Sequence, residues 1–148
     1  MDIKSLGEPC SDSKINMHEN KTCVNIENSS RFTYYKIHVD CKDADPTKRK
    51  CDYIVFKNAS EKDEHQLALY VELKGGGVAR ASSQIQQTLR DTEKDFKDYL
   101  KKCFVISTGV PKMRGELQRI KKEFKQKTNL ILHVERSPAS LKENILFR

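Results

Sequence analysis

The chain has 148 residues, 36% of them hydrophobic and 33% charged, and carries a net charge of +7. That length suits one domain with a single modest core, and its recurring apolar stretches set it apart from a disordered composition. No run reaches the ~20 apolar residues of a membrane helix, and Met1-Asp2-Ile3-Lys4 has no apolar signal core, so a cytoplasmic protein without a membrane partner is expected.

Residues 1–30 are polar and poorly periodic, which predicts a loose segment with at most one short helix ahead of a single domain over 31–148. Residues 32–41 read as a strand with Tyr35, Ile37 and Val39 on its buried face, followed by a turn bearing Asp43, Asp45 and Pro46. Strands at 51–57 and 67–74 form an antiparallel hairpin across the polar loop 58–66. Val78, Ala81, Ile85, Leu89, Phe96 and Leu100 recur at helical spacing and predict one long helix over 78–102. A short buried strand at 103–107 precedes a second helix over 112–127, with Met113, Leu117, Ile120 and Phe124 on one face. A last strand, 130–134, leads into a tail ending Leu146-Phe147-Arg148. The order predicts an α/β fold, a central mixed sheet flanked by helices.

The chemistry concentrates in the hairpin. Leu69, Val71 and Leu73 face one way, while Tyr70, Glu72 and Lys74 face the other. Asp52 opens the preceding strand, and Gly75-Gly76-Gly77 permits close approach of a backbone or ligand. Two carboxylates can hold a hard divalent cation, and a neighbouring lysine can serve a water upon it. Taken alone, Glu72 and Lys74 are an exposed pair worth little. With Asp52, the glycine run and Gln84 on the following helix, they point to phosphodiester hydrolysis.

Cys51-Asp52-Tyr53-Ile54, Val71-Glu72-Leu73-Lys74-Gly75 and Ala81-Ser82-Ser83-Gln84 together resemble the PD-(D/E)xK nuclease superfamily, over about residues 32 to 110. The resemblance implies a restriction-endonuclease-like core and a Mg²⁺-dependent endonuclease, with Mn²⁺ a plausible substitute and DNA favoured over RNA. It implies metal ligation by Asp52, Glu72 and the backbone carbonyl of Leu73, with Lys74 serving the attacking water and Gln84 orienting Lys74 or the substrate. Cys51 stands where the family often has proline. The family's leading helix, which often supplies another acid, has no clear counterpart, Glu19 and Glu27 being weak candidates.

Positive charge gathers at Lys48-Arg49-Lys50, at Lys101-Lys102, and on the second helix at Lys112, Arg114, Arg119, Lys121, Lys122, Lys125 and Lys127. This is the footprint of a polyanion partner, although a solvated helix face explains the last group about as well. Lys48, Arg49 and Lys50 are assigned to nucleic-acid binding, because they adjoin Asp52. Five cysteines without Cys-x-x-Cys spacing read as reduced thiols, Cys51 and Cys103 as small core residues. His38 is read as reaching a phosphate or nothing, and His133 as a core or edge residue. So small a domain implies a homodimer or partner subunit to complete a substrate cleft. The competing readings are a non-catalytic nucleic-acid-binding module on the same fold and a protein–protein adaptor with structural acids.

Overall fold

Leu67–Lys74 is rich in apolar residues at both odd and even positions because it runs through a sheet covered on both sides. The computed structural model describes residues 3–39, 51–61, 63–74, 77–109 and 114–147. Its larger sheet has six strands in the order β1 (Glu8–Cys10), β4 (Tyr34–His38), β5 (Tyr53–Lys57), β6 (Leu67–Lys74), β7 (Leu100–Ser107) and β8 (Leu132–Arg136). From β1 to β6 neighbours are antiparallel, whereas β6, β7 and β8 run parallel, so the sheet is mixed.

Helices α1 (Val78–Asp91) and α2 (Arg114–Thr128) provide the parallel crossovers and cover one face. There Val78, Ala81, Ile85, Ile120 and Phe124 pack on Ile54, Phe56, Ala68, Tyr70, Cys103 and Val105. The opposite face meets a three-stranded sheet of β2 (Lys14–Glu19), β3 (Thr22–Glu27) and β9 (Ala139–Leu141), with the short helix α3 (Glu143–Leu146) beside it. Ile15, Met17, Val24 and Ile26 alternate inward from that sheet onto Val55, Leu69, Val71 and Phe104. Among the described residues no helix is long and apolar enough to cross a membrane.

Three expectations are corrected. Residues 1–30, read as loose, contribute a 3-10 turn at Ile3–Leu6 and strands β1, β2 and β3. Their backbone groups are satisfied by a hairpin, and Gly7 lets the turn close in where a Cβ would stand 2.8 Å from the Cβ of Tyr35. The long helix stops at Asp91, where the Thr92 hydroxyl donates to the Thr88 carbonyl at 2.7 Å and shares a 2.7 Å bond with the Tyr70 hydroxyl. Phe96 is fully buried, but from turns, and Leu100 belongs to an extended β7. The last strand begins two residues later than expected, at Leu132. Met113 and Lys112 lie outside the described residues.

The β5–β6 loop is held by a lysine that is almost wholly buried. Lys57 donates to the His65 carbonyl at 2.9 Å and lies 3.1 Å from Asp63 Oδ2. Burial pushes the Asp63 carboxyl up, but hydrogen bonds from the His65 ring and backbone N–H, and from Lys57, outweigh it and hold the pKa at about 2, against 3.8 ordinarily. A depressed folded-state pKa gives stability that is present above the unfolded value and lost as pH falls through the folded one. Urea denaturation between about pH 2 and pH 5 should therefore show Asp63→Asn weaker than wild type at the upper end, the two curves converging toward the acid end. Curves that stay parallel would assign the acid sensitivity to other groups.

Candidate active site

The antiparallel β5–β6 ladder pairs Tyr53 with Val71, and one further step sets Asp52 across from Glu72. Residues directly opposite share a face, so both acids belong to the side covered by α1. Both are buried, at 7% and 1% exposure, so Glu72 is not the exposed residue that the pair taken alone would suggest. Asp52 is fixed twice. Its Oδ2 accepts the Leu73 N–H at 2.7 Å, and its carbonyl accepts the Val39 N–H at 2.9 Å. The carboxylate is thus tied to the residue next to Glu72 by a charge-assisted bond.

Cys51 registers the same convergence. Burial pushes its thiol far above the ordinary value; the Thr88 hydrogen bond opposes this, and the charges of Glu72 and Asp52 add to it. A thiol so held stays protonated and is no nucleophile. Cys103 is buried as well, so both cysteines sit in the core as expected.

Sequence reading missed Thr88. Its hydroxyl accepts the Cys51 N–H at 2.8 Å and donates to the Gln84 carbonyl at 2.9 Å. It therefore fastens the Gln84 turn of α1 to the chain that carries Asp52. The available signal was a polar residue continuing the apolar stripe of Val78, Ala81 and Ile85. The side-chain Oε1 of Gln84 is itself buried and accepts no hydrogen bond among the described residues. Helix α1 starts directly after the glycine run, from Gly77 at φ 73°, a left-handed conformation that suits glycine.

Lys74 ends β6, in register with Ser107 of β7. Its side chain, and Lys48, Arg49 and Lys50 entirely, lie outside the described residues, as does Cys41. His38 stacks on Tyr53 with ring centroids 4.4 Å apart, and its Nε2 lies 3.4 Å from Glu19. That pairing gives Glu19 a place away from the two buried acids. His133 stacks on Phe104 at 5.0 Å, half-buried on an edge strand.

Among the described residues no group of three or more His, Cys, Asp and Glu gathers as a metal site. The Asp52–Glu72 pair nevertheless has the donor chemistry of a hard divalent cation, since ionised carboxylates only accept and both are withdrawn from bulk water. Among the described residues the fold is α/β, with a mixed six-stranded sheet, a smaller sheet and three helices. No protein-family model, no curated protein and no solved structure matches the chain.

Proposed function

We propose that this chain is a metal-dependent nuclease of the PD-(D/E)xK kind, with a restriction-endonuclease-like core, hydrolysing phosphodiesters of DNA endonucleolytically. The observation that carries this is the buried Asp52 carboxylate bonded to the Leu73 N–H, across from Glu72, at the strand end that runs into the glycine run and α1. Asp52, Glu72 and the Leu73 carbonyl would hold Mg²⁺ or Mn²⁺. When bound, the cation would polarise the phosphate and lower the pKa of a coordinated water.

The remaining work belongs to the chain's own groups. Asp52 is prepositioned by its two backbone hydrogen bonds, so its charge needs little reorganisation as the reaction proceeds. Lys74 stabilises the negative charge that builds on the attacked phosphate. Gln84, its buried Oε1 still to be satisfied, orients Lys74 or the substrate. Lys48, Arg49 and Lys50, just before Asp52 in sequence, grip the neighbouring phosphates. A second copy or a partner subunit completes the cleft around a duplex.

The test is single-turnover cleavage of duplex DNA, single-stranded DNA and RNA in Mg²⁺, with binding measured separately in Ca²⁺. Lys74→Ala should lose on the order of 10²-fold or more in rate while keeping affinity and melting temperature, because its contribution is felt in the transition state. Cleavage of no nucleic acid by the wild type would leave a binding module in place of an enzyme.

A further inference from the structure

A second concentration of charge lies at the end of the sheet remote from the carboxylates. Strands β6 and β7 run parallel, with Leu67 beside Leu100 and Lys74 beside Ser107. At roughly 3.3 Å per residue, the start of β7 is therefore about 20 Å from the end that bears Glu72. Both long helices run back toward that remote end. Their last turns bring Arg90 of α1 and Lys125 and Lys127 of α2 to the first residues of β7.

Two recesses of about 270 and 410 Å³ open there. Arg90, Lys101 and Lys127 line the first, Lys101, Lys102 and Lys125 the second, and Lys101 and Leu130 belong to both. Among the described residues, Glu93 is the one carboxylate in either lining. Burial first, and then Lys102 and Lys121 against the pull of Glu135, hold the His133 imidazole beside the second recess below its ordinary pKa. Between the two ends of the sheet, Arg119 and Lys122 are exposed along α2. Cations that line recesses and continue as a track suit a phosphate backbone.

We propose that this remote basic end is a second nucleic-acid contact, holding the substrate backbone about 20 Å from the bond that is cut. It rests on the nuclease reading for the identity of the polyanion. At 3.4 Å per nucleotide of one strand, the contact engages phosphates about six nucleotides from the scissile one. Exposed Leu100 and Ile131 at the rim offer apolar surface to sugars and bases.

The experiment measures binding of a duplex of about 24 base pairs without divalent metal, over a range of salt. Lys101→Gln/Lys125→Gln/Lys127→Gln is compared with Lys14→Gln/Lys21→Gln/Lys142→Gln, which removes the same charge from the other layer. The first variant should bind at least tenfold more weakly, and its slope of log K against log salt should be shallower by about 3, at about 0.9 per lost phosphate contact. The second should keep both values. Lys127→Gln alone, at an exposed side chain, should flatten the slope by about 1 and guards against misfolding of the triple variant. Equal slopes for the first variant and wild type overturn the proposal, as does binding of anionic vesicles or acidic peptides with no binding of the duplex. Cleavage is read separately in Mg²⁺. A flattened slope with no cleavage keeps the contact and removes the enzyme; cleavage with an unchanged slope does the reverse.

Discussion

Asp52→Asn is expected to abolish cleavage and to remove the response of the melting temperature to Mn²⁺. The amide oxygen can still accept the Leu73 N–H that Asp52 Oδ2 accepts at 2.7 Å, so the local geometry is kept and only the charge is lost. The rate should fall on the order of 10²-fold or more, as for loss of other preorganised groups. Mn²⁺ should raise the melting temperature of wild type, since a ligand that binds only the folded state stabilises it, and should leave Asp52→Asn unmoved. Differential scanning calorimetry with and without Mn²⁺, beside a cleavage assay, reads all of this. An equal response of both proteins to Mn²⁺ would move the metal away from Asp52.

The largest stability effect is expected at Phe96. Its ring is wholly buried, with Tyr99 at 5.1 Å, Phe56 at 5.4 Å and Tyr70 at 6.3 Å between centroids. Truncating a buried phenylalanine costs about 3–5 kcal/mol, from lost transfer energy and from the cavity left behind. That is a large part of the roughly 5–15 kcal/mol by which domains are stable. Chemical denaturation of Phe96→Ala should show this loss, and Phe96→Leu a much smaller one. A loss below about 1 kcal/mol in the alanine variant would mean that the turns after α1 re-close over the gap.

The hairpin that bears Asp52 and Glu72 was legible because Ile54, Val55, Leu69 and Val71 leave little choice but strand, and the polar loop between the runs sets their antiparallel pairing. The true end of α1 was not. Leu89, Phe96 and Leu100 continue a helical spacing, yet the chain leaves the helix at Thr92, where the Thr92 hydroxyl engages the Thr88 carbonyl and Tyr70. That stop is made by a tertiary contact, which periodicity does not register. The β2–β3 hairpin was hidden for another reason: each strand brings only two buried apolar residues, Ile15 and Met17, then Val24 and Ile26, amid polar neighbours. Its tight turn uses Asn20 at φ 54°, without the glycine that would have flagged it. The burial of Glu72 was equally unreadable, because it depends on α1 folding back over β6.

The pairing of β3 with β9 has a consequence for synthesis. Ser140 donates to Asn25 at 2.8 Å across 115 positions, and the parallel ladder runs from Val24–Ala139 to Ile26–Leu141. The β2–β3 hairpin, made before β9 on the ribosome, therefore waits through those 115 positions before its open edge is covered. During that interval β3 presents unsatisfied backbone groups, and Val24 and Ile26 lack part of their apolar cover, the conditions under which nascent chains find one another or a chaperone. Closing so distant a contact is also slow, since its loop entropy must be overcome before the contact contributes. Translation speed over the stretch between the hairpin and β9 should thus weigh on yield more than speed over the hairpin's own codons, at elongation rates of about 5–20 residues per second.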